Sequence, residues 1–184
     1  MQRKVLGIVG MPGSGKSEAA NIGRDYGFDI VVMGNVIRGE VARRYLEPNP
    51  ETVGRIMLDL RQQHGPSIVA QLCLQHIAET NYDQIIIEGI RSMAEVTEFK
   101  TQFPQFIVLA IHASPSTRFQ RILTRGRSDD ANNHQFFIER DQRELHVGIG
   151  AVIALADYVV INEGTLKEFH TQIHQFYEAI LNEL

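Results

Sequence analysis

The stretch Gly10-Met11-Pro12-Gly13-Ser14-Gly15-Lys16-Ser17 reads G-x-x-x-x-G-K-S, the Walker A phosphate-binding pattern. Its flanks agree with that reading. Val5-Leu6-Gly7-Ile8-Val9 before it is a short apolar run of strand type, and Glu18 to Tyr26 after it predicts a helix. Glycines at 10, 13 and 15 let backbone N–H groups turn inward around a polyphosphate with no Cβ in the way. The helix starting near Lys16 aims the positive end of its dipole at the same anion. Lys16 adds a cation for the β- and γ-phosphates, and the Ser17 hydroxyl is the expected Mg²⁺ ligand. Residues 10–17 as a whole, Met11, Pro12 and Ser14 included, are expected to hold nucleotide phosphates.

The bulk of the chain sets bounds on everything else. Its 184 residues suit a single domain, 1–184, with room for a substantial core. The net charge of −4 supplies no whole-protein basic field, so nothing argues for nucleic acid as a partner. Fourteen of the eighteen basic residues are Arg, the side chain whose planar fork matches phosphate and carboxylate. A compositional habit of the source accounts for that bias equally well. The lone cysteine, Cys73, lies in an apolar helical pattern and reads as a small buried hydrophobe, which excludes a disulfide framework. The N-terminal apolar run is too short for a signal peptide, and no run approaches the ~20 apolar residues of a membrane span. A soluble, cytoplasmic protein is expected.

Apolar strand-like runs alternate with helical stretches along the whole chain. Strands are expected at 5–9, 29–33, 83–87, 106–111 and 157–161. Helices are expected at 34–46, 51–64, 67–79, 92–102, 114–124, 135–146 and 166–184, with a short one near 148–156. Ser92-Met93-Ala94-Glu95 is a capping-box pattern, and Pro115 suits a first helical turn. Continuous apolar strands imply burial on both faces, as in a parallel sheet. The fold class is thus α/β, a three-layer, doubly wound, five-stranded parallel sheet. Residues 34–80 are too long for an ordinary crossover and read as an inserted helical lobe for a substrate.

Ligands of such sheets bind beyond the carboxyl ends of the strands. Those ends here carry the phosphate loop, Gly34-Asn35-Val36-Ile37-Arg38, Glu88-Gly89-Ile90-Arg91, Ala113-Ser114-Pro115 and Asn162-Glu163-Gly164. Arg38 stands beside Arg43 and Arg44, so exposed helix arginines are the plain alternative to a phosphate ligand. Glu88 suits either organising Mg²⁺ through water, orienting a nucleophile, or pairing with a neighbouring Arg. Arg118, Arg121 and Arg125 recur at i, i+3 and i+7 along one helix face. That stripe reads either as a solvated face or as part of a closing lid over 118–146, with Arg127, Arg140 and Arg143 completing it. Asp129 and Asp130 would pair with these arginines. His112 reads as structural, and the histidines show no metal-ligand spacing.

These segments together resemble the P-loop nucleoside monophosphate kinases. Gly34-Asn35-Val36-Ile37-Arg38 and Glu88-Gly89-Ile90-Arg91 are similar to the acceptor-binding motifs of adenylate kinases, with Asn35 and Glu88 where that family has Asp. The resemblance implies that Arg38 and Arg91, with Asn35, hold the acceptor's phosphate. Ala156-Asp157-Tyr158-Val159-Val160-Ile161-Asn162-Glu163-Gly164-Thr165-Leu166 resembles a segment of dephospho-coenzyme A kinases that edges the ATP adenine pocket. Over nearly the whole chain, the phosphate loop, Ile111-His112-Ala113-Ser114-Pro115 and Arg125-Gly126-Arg127-Ser128-Asp129-Asp130 resemble an archaeal family of kinase-like P-loop proteins. The implied activity is transfer of the γ-phosphate of Mg-ATP to a small phosphate-containing acceptor such as a nucleoside monophosphate. Lys16, Glu88, Arg91, Arg121 and Arg125 would be catalytic, and Arg118, Arg121, Arg125, Arg127 and Arg140 would form the lid. A dephospho-coenzyme A acceptor is an alternative. A nucleotide-dependent switch or slow ATPase working on a macromolecule is an alternative of another class. The oligomeric state is open.

Overall fold

A computed structural model describes residues 3–47, 49–125 and 133–181, with backbone alone at 50, 51 and 125. Five strands, β1 (Lys4–Val9), β2 (Asp29–Val32), β3 (Gln84–Glu88), β4 (Ile107–His112) and β5 (Tyr158–Ile161), form one sheet in the order β2-β3-β1-β4-β5. Every pairing is parallel, with Ile8 opposite Glu88 and Val9 opposite Ala110. Helices α1 (Lys16–Gly23), α2 (Met33–Arg43), α3 (Pro50–His64), α4 (Ile68–Ala78), α5 (Met93–Gln102), α6 (Pro115–Arg125), α7 (His134–Val147), α8 (Ile149–Ala154) and α9 (Leu166–Ile180) connect and cover the strands. This is the doubly wound five-stranded α/β fold expected from the strand and helix alternation.

Alternate residues of the central strands point to opposite faces, and each face is buried. Val5, Val9, Ile85, Ile87 and Val108 meet helices α2 to α5 and α8 in one core. Leu6, Ile8, Ile86, Leu109 and Ile111 meet α1 and α9 in the other, around Phe169, Ile173 and Tyr177. Burial of each such aliphatic side chain contributes about 1.5–3 kcal/mol, which explains strands that are apolar without alternation. The helices between β2 and β3 are not set apart. Ile37 and Val41 of α2, Ile56 and Leu60 of α3 and Val69, Cys73 and Ile77 of α4 belong to the same core as the sheet.

Several boundaries differ from expectation for local reasons. The helix after the phosphate loop ends at Gly23 and continues only as a 3₁₀ turn over Arg24–Tyr26, closed by Gly27 at φ 85°. The expected helix 34–46 begins a residue earlier and stops at Arg43, because Tyr45 adopts a left-handed φ of 58°. Glu88 closes β3 rather than following it. The capping box at α5 forms as expected: Ser92 accepts from Glu95 N–H while the Glu95 carboxylate accepts from Ser92 N–H. Among the described residues, no helix is long and apolar enough to cross a membrane.

Candidate active site

The loop between β1 and α1 takes the shape its glycines allow. Gly13 lies at φ 83° and Gly15 at φ 106°, where a side chain is strained. A Cβ on Gly15 would fall 2.5 Å from Asn162 Nδ2, and one on Gly13 would fall 2.8 Å from the Arg118 carbonyl. The loop is therefore clasped by the ends of β5 and α6 as well as by its own turn. Asn162 is buried; it donates from Nδ2 to the Ser14 carbonyl at 2.8 Å, and its backbone N–H donates to the His112 carbonyl at 2.7 Å. Arg121 donates to both Asn162 oxygens at 3.1 Å. Glu163 ties the same corner, accepting from Thr117 Oγ1 at 2.6 Å and from the backbone N–H and hydroxyl of Ser114. The bond from Thr117, then the backbone N–H of Ser114, holds its carboxyl below the usual range.

Two acidic groups meet the loop from the other side. Glu88, at the end of β3, accepts from Ser17 Oγ at 2.7 Å. A hydroxyl beside a carboxylate is a hard-oxygen set that fits Mg²⁺, which Ser17 would ligate and Glu88 would order through its shell. Beyond Glu88 the chain turns through Gly89 at φ 99° to Arg91. Arg91 Nε donates to Glu144 Oε2 of α7 at 2.6 Å, and Nη1 donates to the Gly89 carbonyl at 3.3 Å. Its backbone N–H donates to Glu95 Oε2 at 2.7 Å, so the α5 capping carboxylate also fixes the Arg91 backbone.

Lys16, Gly10 and Pro12 of the loop line one recess together with Gly89, Ile90 and Arg91, Arg140 and Glu144 of α7, and Ile149. Burial pulls the Lys16 ammonium down to about 8; Glu88 and Glu144 resist that fall while Arg91 and Arg140 add to it. Burial works against ionised Glu144, but Arg91, and then Lys16 and Arg140, outweigh it and keep the carboxyl below its ordinary value. The same pair keeps Arg91 above its ordinary value against the pull of burial. Among the described residues that line it, the recess sets three basic side chains, Lys16, Arg91 and Arg140, around the Glu144 carboxylate.

The remaining expected site residues are placed differently. Arg38 is exposed and hydrogen-bonds Asn35, three residues earlier on α2; neither lines the recess with Lys16. Arg118 is not on a solvated face: it is 3% exposed. It donates to the Pro12 carbonyl at 3.1 Å, to the Ala113 carbonyl at 3.2 Å and to both oxygens of Asp141, with its guanidinium 4.9 Å from the Phe137 ring centre. It thus clamps α6 and α7 to the phosphate loop. Arg121 reaches the loop through Asn162. Arg127, Asp129, Asp130 and the Arg125 side chain lie outside the described residues. His112 is exposed and contributes its backbone carbonyl. The sequence patterns do not single out Asn162, Asp141 or Glu144. Asn162 sat within the motif quoted above, whereas Asp141 and Glu144 carry no local signal, since their partners lie 23 and 53 residues away.

Comparison with known proteins gives the family and the fold. The AAA domain family model matches residues 9–135, from the end of β1 into α7. The UPF0200 protein MJ1399 of Methanocaldococcus jannaschii is 46% identical over 182 residues, 98% of this chain and 92% of the relative. The chain belongs to the UPF0200 family. The UPF0200 protein of Hyperthermus butylicus is 42% identical over 181 residues, 98% of this chain and 97% of its own. Among solved structures, TT1252 from Thermus thermophilus superposes with a TM-score of 0.64 at 16% identity, over 100% of this chain and 99% of its own. A shikimate kinase from Acinetobacter baumannii in complex with shikimate gives 0.57 at 12% identity, over 96% of this chain and 94% of its own. At such identities the likeness is one of fold: a kinase-like P-loop α/β fold.

Proposed function

We propose that the protein is an ATP-dependent phosphotransferase that moves the γ-phosphate of Mg-ATP to a small, phosphate-bearing acceptor of nucleoside monophosphate type. One observation carries the reading: Arg91, from the end of β3, lines the same recess as Lys16 of the phosphate loop. A guanidinium set beside the Lys16 ammonium from the end of a different strand suits the anion of a second substrate. The loop amides and Lys16 hold the donor, and Arg91 fixes the acceptor anion beside it. Bound Mg²⁺, held at Ser17 and Glu88, would supply charge neutralisation to the donor phosphates. Phosphoryl transfer of this kind needs positioning and electrostatic stabilisation rather than a covalent intermediate. Asn162 and Arg121 keep the loop in shape, and Arg118 anchors it to α6 and α7.

The test is Lys16→Ala. Loss of this cation should cut transfer on the order of 10²-fold or more and sharply weaken ATP binding. Unchanged binding and turnover in a folded Lys16→Ala protein would remove the basis of the assignment.

A further inference from the structure

The recess that would receive the acceptor phosphate already contains an anion belonging to the protein. Glu144 is the one acidic side chain among the described residues that line it, against Lys16, Arg91 and Arg140. Its Oε2 takes the Arg91 Nε–H at 2.6 Å, and its side chain is only 15% exposed. A carboxylate and a phosphate offer guanidinium the same kind of oxygen acceptor. A phosphate that takes the Nε edge of Arg91 must displace Glu144 from it.

We propose that Glu144 is the resident counter-anion of the acceptor subsite, displaced when a phosphate dianion binds Arg91, and that it makes the subsite favour dianionic phosphate over carboxylate. The inference rests on the acceptor role given to Arg91 above. An incoming monoanionic carboxylate exchanges one carboxylate for another and gains little. A phosphate dianion brings a second charge toward Lys16 and Arg140 and a third oxygen beside them. Release does not require α7 to leave. Asp141, nearly one turn earlier on the same helix, stays bound to Arg118, which holds the Pro12 carbonyl. Rotation of the Glu144 side chain therefore frees Arg91 while the helix keeps its place against the loop.

The experiment measures binding without turnover. With the donor site filled by Mg²⁺ and a non-hydrolysable ATP analogue, inorganic phosphate and acetate are titrated by calorimetry. The proteins are the parent, Glu144→Gln, Glu144→Asp and Arg91→Ala, each first checked for its thermal unfolding. Glu144→Gln should bind phosphate on the order of tenfold more tightly than the parent, the scale of losing one charge-assisted competitor, and should newly bind acetate. Glu144→Asp, whose carboxylate is drawn back by one methylene, should fall between the two; it serves if the Gln variant does not fold. Phosphate binding that is unchanged or weaker in both Glu144 variants overturns the inference and makes Glu144 a support for Arg91. Phosphate binding that ignores Arg91→Ala overturns the acceptor reading itself, and the role of Glu144 with it.

Discussion

Replacing Asp141 with Ala should unfold this protein more readily than any change to its exposed ion pairs. Arg118 is 3% exposed, and Asp141 is the acid paired with it. Two of its bonds, to the Pro12 and Ala113 carbonyls, survive the change, but both contacts to the carboxylate are lost. A buried guanidinium without its partner typically costs about 3–5 kcal/mol. The Asp141 side chain keeps 15% exposure, so water can reach the vacated edge, and the lower end, about 3 kcal/mol, applies. For a chain of this length that corresponds to a fall in Tm of roughly 6–12 °C. Arg118→Met breaks the same pair from the other side: it strands the Asp141 carboxylate and leaves two carbonyls short of a donor. Both variants should therefore be less stable than the parent by about 3 kcal/mol or more. Thermal and urea unfolding followed by circular dichroism give both values. An Asp141→Ala protein within about 2 °C of the parent would refute the clamp.

Further expectations follow from the loop and the core. Gly15→Ala combines a φ of 106° with a Cβ 2.5 Å from Asn162 Nδ2, so it should displace Asn162 from the Ser14 carbonyl. ATP affinity, measured by titration, should drop by more than about tenfold, with about 1–2 kcal/mol of backbone strain; parental affinity would contradict the clasp. Burial pushes the Cys73 thiol up to about 12, so it should resist a thiol-specific reagent at pH 8 until denaturant is added. Rapid labelling of the native protein would contradict that. The pH dependence of stability has a defined sign. Cys73 and Tyr177, both raised by burial, contribute stability that is full below their unfolded values and lost as pH climbs through the folded ones. Lys16, lowered by burial to about 8 from 10.5, acts oppositely and adds stability as pH rises between those two values. The net loss should set in above about 10.5, where Lys16 has finished. A urea midpoint that rises beyond that pH would contradict the assignment.

What the sequence made legible was local. The strand, glycine turn and helix of residues 4–23, the capping box of α5 and the Pro-initiated α6 depend on neighbours within a few positions, and each formed as expected. The parallel sheet followed from apolar runs with no polar alternation. Arg118 shows where such reading ends. Its spacing with Arg121 and Arg125 defines a helix face, but spacing cannot tell that Phe137 and Asp141 of a later helix cover that face. Glu144 is similar: it looks like one more acid on a charged helix until the fold brings it to Arg91, 53 residues away in sequence. Arg38 illustrates the reverse case. Its motif position suggested an acceptor ligand, and the fold leaves it exposed beside Asn35, outside the recess.

Release of ADP from Mg-ATP in the presence of AMP, CMP, UMP, GMP or dephospho-coenzyme A tests the central claim most directly. One acceptor should raise ADP release well above the acceptor-free rate, and Arg91→Ala should remove that stimulation, on the order of 10²-fold, while slow acceptor-free hydrolysis persists. Hydrolysis that none of these acceptors accelerates, equal in the parent and in Arg91→Ala, would contradict the phosphotransferase account and favour a nucleotide-dependent switch.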